Sequence, residues 1–268
     1  YLEAVSENNT ILSNTIFTLA ANSNGVHLTS SHKNNVTSNT INTTGSSAYG
    51  IYITSSNTNN VTSNTITTTV AYGIYLQTNP SSHNITSNNI TSGDIGIFLS
   101  SNADSNILSS NIITTTGTDD YGIELTTGSD NNAITSNTIN TGSAAGIRIM
   151  STSSSNNITS NTINTTGSNG YGIITNTGNN IYTSNTINTT GSTGYGIYLA
   201  TAANSNNITS NTINTTGSTG YGIYLQTNNN NILSSNTVTT SSATNAYGLY
   251  LENADNNNFT NDKVNATN

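Results

Sequence analysis

Apolar residues alternate with Thr, Asn and Ser in runs of three or four along nearly the whole chain, and each run stops at a polar corner. In the unit that starts at Ile208, the alternation places Ile208 inward, Thr209 outward and Ser210 inward, with Asn211 turning the corner. Thr212 then points out, Ile213 in and Asn214 out. A Gly-Ser-Thr-Gly turn follows, after which Ile223 and Leu225 point in with Tyr224 out between them. A side-chain period of two is the strand period, and no window shows the i, i+3, i+4 spacing of a helix. The pattern therefore predicts three short strands and three corners per unit.

The unit recurs. Its first apolar residue falls at Ile11, Val36, Val61, Ile85, Leu108, Ile134, Ile158, Tyr182, Ile208, Leu233 and Phe259, at intervals of 23 to 26 residues. A fixed period of this size means a solenoid, while four-stranded propeller blades need roughly 40–45 residues each. Three strands per coil predict an all-β fold: a single-stranded right-handed parallel β-helix solenoid of about 11 coils of about 25 residues. It forms one domain over residues 1–268. With coils about 4.8 Å apart, the rod is about 50 Å long. Two inward ladders are legible, one running from Ile41 through Ile90 to Ile213 and one from Ile51 through Ile97 to Ile223.

A structural corner ladder reads Asn14, Asn39, Asn64, Asn88, Asn111, Asn137, Asn161, Asn185, Asn211, Asn236 and Asp262. Asn tolerates the left-handed conformation that a tight corner demands, and stacked amides hydrogen-bond from coil to coil.

Composition narrows the function. The chain holds 52 Asn, 52 Thr and 38 Ser, more than half of its 268 residues, against three basic and eleven acidic residues. So few cations exclude a basic nucleic-acid binder and a polybasic membrane-surface protein. No apolar run approaches the length of a membrane-spanning helix, so no direct membrane insertion is expected. With no Cys there are no disulfides, thiolate metal sites or Cys nucleophiles.

The Asn corner and the Gly-Ile-Tyr-Leu strand resemble the right-handed parallel β-helix repeats of the pectin-lyase-like superfamily. The likeness is to the branch of surface and secreted repeat proteins and of the periplasmic copper-site-assembly β-helix. The resemblance covers nearly the whole chain and implies a fold shared by lyases, hydrolases, tailspikes, adhesins and surface-layer proteins.

Candidate chemistry is sparse. The only Arg, Arg148, aligns with Glu124 one coil earlier, which predicts an ion pair on adjacent strands. Asp94 and Asp120 share a register before the third strand and, with Asp119, form the calcium candidate, since Ca²⁺ takes carboxylate oxygens. His27, His32 and His83 stand apart and there is one Met, Met150, which argues against copper or zinc. No cofactor is expected.

An outward aromatic stripe for packing or sugar stacking comprises Tyr52, Tyr75, Phe98, Tyr198, Tyr224 and Tyr250. An outward Thr stripe includes Thr40, Thr65, Thr138, Thr162, Thr186 and Thr212. Glycosylation sequons include Asn35, Asn42, Asn84, Asn164 and Asn214.

These features predict a non-catalytic structural or adhesive solenoid at the cell surface or outside the cell, in an envelope, surface layer, sheath or filament. The alternatives are a polysaccharide-binding or polysaccharide-degrading β-helix and an ice-binding solenoid. No capping element is legible at either end. The expected partners are therefore like subunits stacked head to tail, a longer chain of the same kind or other envelope proteins, with polysaccharide as a further partner.

Overall fold

The computed structural model describes residues 1–3, 6–118, 120–142, 144–241 and 245–267. Among them, 33 strands form three parallel sheets of eleven strands each, and there is no helix. Each coil gives one strand to each sheet. In one coil these are Asn207–Thr209 in the first sheet, Thr212–Thr215 in the second and Ile223–Gln226 in the third. Like residues pair in register between coils: Ile208 with Leu233, Ile213 with Val238, Tyr224 with Tyr250. The period-two pattern forces this register, because a slip of one residue would turn every Ile outward.

The core is a narrow stack of Ile, Val and Leu, nearly all fully buried. The anchor column from Val36 through Ile134 to Leu233 is a third inward ladder, and a fourth runs from Leu28 through Leu76, Leu99 and Leu125 to Leu225. One rung is remodelled. Tyr182 takes the place of an Ile and is fully buried, while Thr175, in the third-sheet strand just before it, replaces the Leu of the fourth ladder. The large ring and the shortened neighbour compensate in volume.

The corner differs from the expected one in conformation. The left-handed residue is the Ser before the Asn, with φ of 56° at Ser13, Ser38 and Ser63 and 58° at Ser160 and Ser210. That Ser is exposed and the Asn is buried, the reverse of the inward Ser expected at Ser210. The Asn contributes its amide instead. The Asn161 Oδ1 accepts from the backbone N–H of Asn137 at 2.9 Å and from its Nδ2 at 3.0 Å. The Asn161 Nδ2 donates to the Ile134 carbonyl at 2.8 Å and to Asn185 Oδ1 at 3.0 Å. At the end of the ladder Asp262 accepts the same pair of bonds from Asn236, both at 2.8 Å.

A second amide ladder, not singled out in the sequence, lies at the corner before the first sheet. It runs from Asn9 and Asn34 through Asn132 and Asn206 to Asn257, again with a left-handed residue before each rung.

The Gly before each third-sheet strand serves close approach, not turn conformation. A Cβ on Gly172 would lie 2.2 Å from Ile187 Cγ2 and 2.5 Å from the Gly196 carbonyl oxygen.

Two outcomes are expected in thermal or urea unfolding. Asn161→Ala should cost about 2–4 kcal/mol, because it strands buried donors and an acceptor, while exchanging the neighbouring Thr162 for Ala should stay within about 0.5 kcal/mol. Equal losses would mean that the amide ladder does not hold the corner. Gly172→Ala should cost about 1–3 kcal/mol by overpacking. Gly142→Ala, whose Cβ would meet only the Thr115 carbonyl oxygen at 3.9 Å, should be near neutral.

Candidate functional site

The outward positions of the third sheet carry the predicted stripe in register. Tyr52, Tyr75 and Phe98 follow one another, then Glu124, Arg148 and Ile174, then Tyr198, Tyr224 and Tyr250. The structure doubles this stripe. The residue before each Gly forms a parallel outer column: Tyr49, Tyr72, Ile95, Tyr121, Ala145, Tyr171, Tyr195, Tyr221 and Tyr247. Within a column the rings stack, as in Tyr75–Phe98 (5.0 Å, 5°), Tyr198–Tyr224 (4.8 Å, 7°) and Tyr195–Tyr221 (4.9 Å, 3°). Between columns they meet edge to face, as in Tyr72–Tyr75 (79°) and Tyr195–Tyr224 (87°). Both arrangements are favourable for aromatic rings, at about 0.5–1.5 kcal/mol per pair beyond burial. The repeated phrase Tyr-Gly-Ile-Tyr carried the outer column in plain sight; reading only alternation within strands passed over it.

Thirteen of the fourteen tyrosines lie on this side of the rod; Tyr182, in the core, is the exception. Stacking hides ring faces and leaves edges and hydroxyls outward. Tyr52 donates to Gln77 Oε1 at 2.7 Å, Tyr198 to Gln226 and Tyr224 to Glu252. Burial pushes the phenols of Tyr72 and Tyr195 up to about 12, so both are neutral at physiological pH.

Two aromatic tracts result, separated by a polar interruption. There the Arg148 guanidinium bonds to Glu124, as expected, and its central carbon lies 4.9 Å from the Tyr121 ring centroid. Glu124 is 5% exposed. Burial raises its carboxyl pKa, against the opposing pull of Arg148, and the charge of Asp94 adds to the rise. A depression of about 160 Å³ opens beside the pair, lined by Tyr121, Ala144, Ala145, Arg148, Asn169, Tyr171 and Ile174.

Asp94 and Asp120 are neighbours in register, as expected. Asp94 Oδ1 accepts from the Ile95 N–H at 2.9 Å, and the Asp120 carboxylate lies over Gly117. Asp119 lies outside the described residues. Among the described residues no three His, Asp or Glu side chains come together.

Of the sequon residues, Asn35 is exposed. Asn42 is half-buried, and so is Asn84, which accepts from Thr86 at 2.5 Å. Asn164 and Asn214 belong to an outward amide row with Asn140 and Asn188, bonded at 2.9–3.0 Å from coil to coil. The Thr stripe of the second sheet is in register but interrupted by Asn89 and Ile112.

The model of the family described as periplasmic copper-binding protein (NosD) matches residues 3–144 and 101–216. The chain belongs to the NosD family. No curated protein matches the sequence. Among solved structures the NosD-family chain is similar to the periplasmic alginate epimerase AlgG, at 13% identity and a TM-score of 0.65, over 93% of this chain and 77% of that one. It is similar to a chain of the Vag8–C1 inhibitor complex at 10% identity and a TM-score of 0.64, over 91% and 77%. It is also similar to a DFA-IIIase from Arthrobacter chlorophenolicus A6 at 14% identity and a TM-score of 0.60, over 91% and 63%. At these identities the likeness shows the shared β-helix fold.

The comparisons correct one expectation. The epimerase and DFA-IIIase are enzymes on this architecture, so the expectation that the chain is not an enzyme does not stand. The family's periplasmic description agrees with an envelope location, coarser than the expected extracellular or cell-surface one.

The copper in the family's description calls for His, Met or Cys donors brought together. The residues present do not fit. His83 is a rung of the second amide ladder: its Nδ1 accepts from the Asn59 N–H at 3.0 Å, which leaves the proton on Nε2 to donate to the Ser56 carbonyl at 2.8 Å. His32 Nδ1 accepts from the Asn57 N–H, and the His27 ring lies between Tyr1 and Tyr52.

Burial lowers the His83 pKa to about 4 from 6.5. The unfolded chain therefore takes the proton first, and stability falls as pH drops from about 6.5 towards 4, by about 3 kcal/mol in all. His83→Asn, which restores an ordinary rung, should abolish that part of the slope. An unchanged slope in the variant's unfolding across this range would refute the rung assignment.

Proposed function

We propose that the chain is an adhesive, carbohydrate-binding β-helix of the cell envelope, and that polysaccharide lies along the tyrosine face. The observation that carries this reading is the gathering of thirteen tyrosines, twelve of them in two tracts, on one side of an otherwise Thr-, Ser- and Asn-covered rod. Sugars present apolar C–H patches and many hydroxyls. The face offers ring edges, phenol hydroxyls and the amide and carboxylate groups of Gln77, Gln226 and Glu252 beside them. An elongated site on a straight rod suits a polymer better than a small solute, which calls for an enclosing pocket. The Thr stripe on the second sheet, broken at Asn89 and Ile112 and flanked by an amide row, lacks the uninterrupted regularity that an ice-binding surface requires.

Co-sedimentation with insoluble glucans, xylans, mannans and polyuronates tests the reading. The parent chain should be retained by at least one polymer. The double variant Tyr221→Ala, Tyr247→Ala should lose about tenfold in retention, equivalent to about 1.4 kcal/mol. The control pair Thr162→Ala, Thr186→Ala on the second sheet should lose nothing. Failure of every polymer to retain the parent, or indifference to the tyrosines, would refute the reading. Product analysis of the bound polymer reports whether it is also altered.

A further inference from the structure

The outer aromatic column lacks a ring at two rungs: Ile95 fills its place with a large buried side chain, and Ala145 leaves only a methyl group. In register, Tyr121, Ala145 and Tyr171 follow one another on three successive coils, so Ala145 stands where neighbouring coils carry a ring. Tyr171 stacks on Tyr195 at 5.2 Å on the coil after it, and towards the coil before it stands the Ala145 methyl group. Across the gap the Arg148 guanidinium lies on Tyr121. Ile174 shortens the inner column at the same level. The depression of about 160 Å³ described above is this gap.

We infer that the notch at Ala145 is a subsite for a single neutral pyranose ring, the point at which the polymer is gripped. This rests on the carbohydrate reading above and adds the ring count and charge class. The volume is about ten times the 10–15 Å³ that one water needs and well below the roughly 300 Å³ at which ordinary small-molecule sites begin, so it takes one ring and not an oligomer. Within the two tracts the rings cover one another, and here the absent ring opens a wall of Tyr171, with Ala145 and Ile174 as an apolar floor for a sugar's C–H face. Arg148 and Asn169 supply hydrogen-bond donors at the rim for hydroxyls. The charge argues for a neutral sugar: Arg148 is already countered by Glu124, Asp94 stands nearby, and the chain carries a net charge of −8.

Filling the notch tests it. Ala145→Tyr completes the outer column and Ile174→Tyr the inner one, each with a residue that the column already uses, so at least one should fold with an unchanged or raised Tm. In the co-sedimentation series each folded variant should lose at least tenfold in retention on the neutral polymer that holds the parent, while polyuronates hold neither parent nor variants. Retention that survives in folded filled variants overturns the notch and leaves the carbohydrate reading standing. Preference of the parent for polyuronates overturns the neutral class. No retention of the parent by any polymer overturns both.

Discussion

The rod depends on its corners. The described residues include thirty-seven non-glycine positions at positive φ, and the left-handed region costs an ordinary residue on the order of 1–2 kcal/mol. Summed over the chain, that penalty is several times the net stability of a typical domain. At twenty-two of these positions the residue stands directly before a rung of one of the two ladders, whose hydrogen bonds offset the cost. The left-handed residue turns the chain so that the next residue's amide enters the interior, where it accepts two hydrogen bonds from one neighbouring coil and donates to both. At Asn64 these are bonds to Asn88, to the Val36 carbonyl and from Asn39, all within 3.0 Å. A buried polar group left unpaired would cost about 1–3 kcal/mol, and the two ladders leave few such groups at the corners.

This constraint accounts for the unusual composition. A core one coil wide needs only a handful of large apolar side chains per turn, and everything else faces solvent or a corner. Ser, Thr and Asn fill the outward positions because they are small, uncharged and compatible with strands or turns. The Gly that opens each third-sheet strand follows from the same geometry: the second-sheet Ile and the next coil's carbonyl occupy the space that a Cβ would take.

The fold was legible because it is periodic. The anchors from Ile11 to Phe259, the Ile ladders and the Asn column each repeat often enough to stand out from noise. What escaped was information that a linear repeat does not carry. The second amide ladder was masked by His83 and by an abundance of Asn that made any single column look like chance. Which corner residue turns left-handed, Ser210 or Asn211, depends on backbone geometry that both residue types tolerate. The outer tyrosine column was present in the repeated phrase, but its pairing with the inner column, at 5.4 Å between Tyr195 and Tyr224, exists only once a turn folds beside a strand. Asp94 and Asp120 show the converse. Register brought them together as read, yet each carboxylate turns back to its own loop.

A solenoid this regular can specify a particular place only by breaking its repeat. Every coil that obeys the pattern presents the same outward chemistry as its neighbours, so a ligand gains avidity along the rod but no register. The breaks are few and differ in kind. His83 substitutes one rung for another without changing the hydrogen-bond pattern, and Tyr182 with Thr175 exchanges volume inside the core; both are silent at the surface. Around Glu124, Arg148, Ala145 and Ile174 the departures instead fall on adjacent coils, on the one aromatic side of the rod, and they leave space, polarity and a ring wall together. Random drift in a repeat would scatter such changes over all three sheets. Their concentration beside a partly buried ion pair, whose carboxylate is costly to desolvate and which adds little to stability by itself, marks that level of the rod as the part whose chemistry the fold alone does not require.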